Sequence, residues 1–254
     1  MASKLDSASL EMGGRMNGNG ISAKSAHGGE WQKSAGAPDF KLTLLSLVDA
    51  VCHGVAISLA IYLFYDCLRE YQLLSWHAPL FTLAYMLFMT EGFLIFLPHS
   101  ALTRGWSRKH LVKLHWILQL IGFICIVLGM IIIVVYKLLN NKRHFAKPHS
   151  ITGLVAVIFA VVVSLFGWWT RINRKYHYGF KLSTLKLFHA GLGVVAYGVG
   201  VAAQVLGYYS NYYIKKHDVD WRVFLSVITA LLGTTTFLFA VASLYKRLRT
   251  YLHK

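Results

Sequence analysis

Four histidines carry the chemistry for which this sequence can be read: His77, His115, His149 and His189. They fall 38, 34 and 40 residues apart, and each stands near the N-terminal end of a long apolar segment. A neutral imidazole is the commonest side-chain metal ligand, and an ionisable group inside an apolar segment is costly enough to be a functional candidate by default. A single histidine near a segment end is often an interfacial residue that reaches water. Four in equivalent places point to ligation.

The elements that must position them are six apolar segments, at residues 43–65, 76–98, 114–136, 149–170, 187–209 and 222–245. Each has about 20 or more mostly apolar residues, enough to cross a bilayer as a helix at ~1.5 Å per residue. The composition agrees. Of 254 residues, 56% are hydrophobic and 14% charged, against roughly 25% charged in a soluble domain, and mean hydropathy is +0.50. Strands of a membrane barrel would be about ten residues long with strict alternation, which these segments lack. The expected fold class is an all-α integral membrane protein with six transmembrane helices. Cys52, Cys67 and Cys125 lie in apolar stretches and form neither a CxxC pair nor a disulfide framework.

Net charge is +16, from 26 Lys and Arg against 10 Asp and Glu. Such a balance often marks a nucleic-acid binder. Here the basic residues sort by membrane face instead, and no nucleic-acid partner is expected. The first tail, the 2–3 and 4–5 loops and the C-terminal end hold 18 of them; the opposite face holds 8. The positive-inside rule then puts both termini in the cytoplasm. Residues 1–40, rich in Gly, Ser, Ala and Lys, read as a disordered cytoplasmic tail without the apolar h-region of a secretory signal. Residues 41–246 form the membrane domain and 247–254 a basic cytoplasmic end. Topology alone needs fewer basic residues than the outer 3–4 loop carries, with Lys137, Lys142, Arg143 and Lys147 leading into His149.

Alternating helix direction turns four histidines into two pairs. Segments 2 and 4 run inward, so His77 and His149 lie near the outer face. Segments 3 and 5 run outward, so His115 and His189 lie near the cytoplasm. Paired imidazoles on facing helices suit bis-histidine ligation of a haem iron. Zinc usually asks for four close ligands including Cys or carboxylate, and two per face are too few. Gly153 and Gly193 follow His149 and His189 by four residues. A glycine one turn along the same face leaves room for a flat porphyrin, or equally for close helix packing. Gln119, one turn after His115, could bond a haem edge or a neighbouring helix. His53 reads as a core polar group paired with Asp49. Glu91 reads as a helix-to-helix hydrogen bond, with proton or water management as its functional alternative.

With these residues in place the sequence resembles cytochrome b561, the ascorbate-dependent transmembrane electron-transfer family, over residues 43–245. The likeness rests on Ser75-Trp76-His77-Ala78-Pro79, Met89-Thr90-Glu91, Leu114-His115-Trp116-Ile117-Leu118-Gln119, His149-Ser150-Ile151-Thr152-Gly153 and Leu185-Lys186-Leu187-Phe188-His189. It looks most like the short b561-domain branch of transmembrane reductases. The chromaffin-granule branch ends its second helix in an arginine-containing motif, and Leu94-Ile95-Phe96-Leu97-Pro98 has no arginine.

The resemblance implies a four-helix core, helices 2–5, holding two b haems. Their ligands would be His77 and His149 outside, and His115 and His189 inside. It implies cytoplasmic ascorbate as donor, docking on Lys109 and Lys113 with Lys186 able to join; positive-inside anchoring is the bland reading of the same three lysines. On the outer face His144, with Lys147 near by, would meet the acceptor, monodehydroascorbate radical or a ferric chelate. Membrane lipid and a second copy of the chain, as a homodimer, complete the candidate partners, in an endomembrane (endoplasmic reticulum or vesicle) rather than the plasma membrane.

Two competing classes are weaker. A respiratory cytochrome b or ferric reductase places two histidines 13 or 14 residues apart on one helix, a spacing no segment here shows, and no GxGxxG after a strand supplies a flavin domain. A polytopic transporter with coupling histidines would show helices interrupted by Gly or Pro near mid-membrane. Pro79, Pro98 and Pro148 lie near segment ends.

Overall fold

The computed structural model describes residues 40–69, 72–176 and 179–253. Of the expected tail, residues 1–40, all but Phe40, which opens the first helix, lie outside the described residues, as does His177 of the 4–5 loop. Six helices are long and apolar enough to cross a membrane: α1 (Phe40–Arg69), α2 (Leu73–Leu94), α3 (Arg108–Leu139), α4 (Pro148–Tyr176), α5 (Leu182–Gly207) and α6 (Val219–Leu252). No strand occurs among the described residues. The chain is an all-α integral membrane protein.

Most helices outrun their apolar segments. In α6 the helix continues to Leu252, seven residues past the apolar limit, because Tyr245–Leu252 keeps helix-forming Lys, Arg and Leu and meets no breaker. The second segment behaves differently. It ends at Leu94, and residues 95–107 turn back before Pro98 could be reached. Starts follow local chemistry. Pro148 opens α4, where its missing N–H costs nothing, and the Asp218 carboxylate caps α6 by accepting from Trp221 N at 2.7 Å. A six-residue helix, Asn211–Lys216, links α5 to α6 and is capped by Ser210.

Contacts between helix ends fix the arrangement. Ala101, in the 2–3 loop, bonds Asp49 near the start of α1, and Thr184 at the start of α5 meets Tyr251 at the end of α6. These ends define one face, called here the N-terminal face. At the other, Lys147 before α4 bonds Asn211 after α5, and Lys216 bonds Asp66 at the end of α1. Within the bundle α2 packs on α3 and α4 packs on α5, while α3 and α4 touch little. α6 lies against α5, and α1 against α2 and α6.

The centre is filled by small residues against aromatics. Ala84, Met86, Ala156, Ala160 and Ala196 are buried with Tyr85 and Tyr197. Without a hydrophobic drive between helices in lipid, close approach and interhelical hydrogen bonds hold such a bundle. Thr90 meets Tyr197 at 2.9 Å, and Gln204 donates to Thr82 at 2.9 Å. Gly200 is among the closest approaches: a Cβ there would overlap the Tyr85 ring. Gly200→Ala should therefore destabilise the protein by about 1–3 kcal/mol, the usual penalty for overpacking. Thermal unfolding in detergent checks it, and Tyr85→Leu in the same chain should restore most of the loss.

Candidate functional site

The structure brings the four histidines together as two pairs. His77 on α2 faces His149 on α4, ring centroids 6.1 Å apart and ring planes 85° to each other. His115 on α3 faces His189 on α5, again at 6.1 Å, with planes at 89°. Each pair joins one helix of the α2/α3 couple to one helix of the α4/α5 couple.

The second ring nitrogens are held within each couple. His77 Nδ1 donates to the Gly129 carbonyl on α3 (3.2 Å), and His115 Nδ1 donates to the Gly92 carbonyl on α2 (3.0 Å). His149 Nδ1 donates to Ala203 on α5 (2.9 Å). His189 completes the pattern loosely: the Val163 carbonyl of α4 acts on its ring, but buried Nδ1 makes no full hydrogen bond. A carbonyl only accepts, so in the three bonded rings Nδ1 carries the proton and Nε2 keeps its lone pair. That is the tautomer a metal requires.

The acceptors have a sequence rule. Gly129, Ala203 and Val163 lie 14 residues after the histidine of their own helix, and Gly92 lies 15 after His77. Fourteen residues are nearly four turns and ~21 Å of rise, so histidine and acceptor share one face at opposite ends of a helix. The extra residue in α2 has a visible cause, because Leu83–Met89 is wound as a π-helix, which absorbs an additional residue. The helix stays continuous, unlike the broken helices of the transporter alternative.

Glycines clear the way for the rings. A Cβ on Gly207 would stand 3.2 Å from His149 and one on Gly167 3.1 Å from His189, while one on Gly92 would overlap the Gln119 amide and stand 3.4 Å from His115. Gly92, Gly167 and Gly207 were not legible from motif spacing; their signal is a glycine four residues after, or at, the acceptor position. Gly153 and Gly193, singled out in the sequence, sit differently. A Cβ on Gly153 meets no protein atom within 4 Å, and one on Gly193 meets only Phe93 at 3.9 Å.

These residues fit a b-type haem. Two imidazoles that share one metal at about 2.0 Å, with ring centres about 1.2 Å behind the nitrogens, would stand about 6.4 Å apart. Both pairs are close to that span. A porphyrin supplies the four other ligands, so two histidines suffice where zinc would lack partners. The open side of Gly153 is a cradle that a larger residue would fill.

Charge collects beside His115 and His189. Phe96 packs on His115 at 5.3 Å and carries the Arg108 guanidinium over its ring at 4.7 Å. Arg171 lies over Trp116 at 4.5 Å. Half-buried Arg247 of α6 acts electrostatically on both rings. Lys113 lines an open cleft of roughly 520 Å³ with Trp106, Ser107 and His110. Lys109 and Lys186 are exposed on the same face and do not line it. On the opposite face His144 is exposed against Phe145, and Lys147 is engaged by Asn211. Gln119 donates to the Phe88 carbonyl of α2 at 3.3 Å, the helix-to-helix alternative.

The chain's likeness to known proteins agrees with this geometry. The family model for eukaryotic cytochrome b561 matches residues 76–214. The mouse (Mus musculus) protein "Transmembrane reductase CYB561D2" is 32% identical over 196 residues, covering 77% of this chain and 87% of the relative. Its cattle (Bos taurus) counterpart is 35% identical over 164 residues, covering 65% and 73%. Mouse "Probable transmembrane reductase CYB561D1" is 29% identical over 163 residues, covering 64% and 71%. No solved structure matches the chain.

Gly207→Val pushes a branched side chain into the His149 ring. It should lower haem content measurably, by up to one per chain in a pyridine haemochrome assay. Gly54→Val, at an exposed position with no neighbour within 4 Å, should leave haem content unchanged.

Proposed function

The chain belongs to the eukaryotic cytochrome b561 family, and from that membership we propose that it carries electrons from cytoplasmic ascorbate, through two b haems, to an acceptor on the opposite side of the membrane. The coarser part follows from the family: a multi-pass membrane oxidoreductase that transfers electrons across the bilayer. The finer part rests on one observation, two histidine pairs with matched spacing at opposite ends of the four-helix core. A haem held by such a pair switches between ferric and ferrous iron and so passes one electron at a time.

The residues have separable tasks. His77 and His149 hold one haem, and His115 and His189 the other, each with Nε2 toward the metal. The backbone carbonyls of Gly129, Gly92 and Ala203 fix ring orientation and raise ligand basicity through Nδ1. The apolar body of α2–α5 excludes water between the two levels. The N-terminal face is the cytoplasmic one, supported by its excess of Lys and Arg. There the cleft beside Lys113 and His110 falls within the size of small-ligand sites. Ascorbate is an anion at neutral pH, so Lys113 attracts it, with Lys109 and Lys186 adding to the field at longer range. Arg108 and Arg247 supply charge-assisted partners for haem carboxylates. On the other face His144 and Lys147 offer the acceptor, monodehydroascorbate radical or a ferric chelate, a proton donor and a positive charge. An endomembrane setting and a homodimer remain parts of the proposal.

The purified protein should contain about two b haems per chain and show a reduced α band on adding ascorbate. A folded sample without haem absorbance would overturn the proposal. Lys113→Glu should raise the ascorbate concentration for half-reduction severalfold at low salt. The difference should shrink as ionic strength rises, because exposed charges are screened.

A further inference from the structure

One buried feature has no part in this scheme. Asp49 and His53 on α1 and Glu91 on α2 are 0%, 4% and 9% exposed. His53 Nε2 lies 3.1 Å from Asp49 Oδ2, and His53 Nδ1 lies 2.7 Å from Glu91 Oε2. The Ala101 N–H also donates to Asp49 Oδ2, at 2.7 Å, while Asp49 Oδ1 has no partner. Holding three ionisable groups inside a bilayer is costly, and apolar residues of similar volume would pack at least as well. Joining α1 to α2 does not require them.

Two hydrogen bonds between one imidazole and two carboxylates need two protons. With those two, both on the ring or one on a carboxyl, the three side chains together carry one net negative charge. The charge is close to the site. Glu91 precedes Gly92, whose carbonyl accepts from His115 Nδ1 at 3.0 Å. Glu91 and the His115 ring thus meet at Gly92, and in a medium of low dielectric a neighbouring charge is screened little.

We propose that the Asp49–His53–Glu91 network is a potential-setting group for the haem held by His115 and His189. This rests on the haem assignment above. A fixed negative charge favours ferric over ferrous iron, so the network lowers the reduction potential of that haem. It also polarises the Gly92 carbonyl toward the His115 N–H, which makes the imidazole a stronger donor to iron. The three side chains are positioning residues, acting through His115 rather than on substrate. Their placement reaches one haem selectively, since the other level stands ~21 Å along the helices. The difference between the two potentials is thereby built into the contact between α1 and α2.

The test is a spectroelectrochemical titration of the purified two-haem protein and of the double variant Asp49→Asn/Glu91→Gln. Amides of the same shape remove both carboxylate charges. One midpoint potential should rise, and it should be the one missing from His115→Ala; the other should stay within error. A double variant that keeps both haems with unchanged potentials, or with the potential assigned to His115 and His189 moved down, overturns the proposal. If the double variant loses a haem, Glu91→Gln alone decides. Its amide oxygen still accepts from His53 Nδ1 while Asp49 accepts from Nε2, so the network again goes from one net negative charge to none, the same potential should rise, and no rise overturns the proposal. Failure of the underlying haem assignment looks different: it would leave the unmutated protein without haem absorbance.

Discussion

The hydrogen bond from a histidine Nδ1 to a backbone carbonyl of the neighbouring helix is the interaction on which the rest depends. It settles the tautomer, turns Nε2 away from the couple in which the histidine sits, and does so in α2/α3 and again in α4/α5. Within the α2/α3 couple the bonds are reciprocal: each helix lends a carbonyl from its far end to the ring near its partner's start. Helix packing and ligand orientation are therefore one problem with one solution. A slip of one residue between α2 and α3 would lose both bonds at once.

Several features follow from that constraint. The acceptor must lie on the same face as the helix's own histidine, which 14 residues achieve in an α-helix. Where the chain supplies 15, between His77 and Gly92, a π-helical turn restores the alignment. The carbonyl must be approachable, so glycine occurs at or one turn beyond it in all four helices, at Gly92, Gly129, Gly167 and Gly207. The two couples then need only face each other. They meet through small residues such as Ala84, Ala156 and Ala196, leaving the histidine levels to span the gap.

Much of this was legible in the sequence for a physical reason. Histidine in an apolar segment is expensive, so its recurrence was conspicuous, and alternating helix direction sorted four of them into two levels. The apolar length of each segment gave the six helices, although their ends were set by breakers and by the 95–107 turn instead of by hydropathy. The acceptors were not legible. A backbone carbonyl has no residue signature, and Gly129 or Gly167 reads like any small residue of a membrane helix. The π turn has no sequence signature within Leu83–Met89. The sequence pairs His53 with Asp49 alone, because its second partner, Glu91, is 38 residues away on another helix and only packing brings them together. The family resemblance groups Lys109 with Lys113, and Lys186 joins them from its place three residues before His189, but of the three only Lys113 lines the cleft. The rotation of each helix about its axis decides that, and charge alone does not encode it.

The central claim is that the histidines work as His77 with His149 and His115 with His189. Haem stoichiometry in two double variants tests it directly. His77→Ala/His149→Ala removes both ligands of one level and should retain one haem per chain. His77→Ala/His115→Ala removes one ligand from each level and should retain none. The reverse result, or equal haem content in the two, would contradict the pairing.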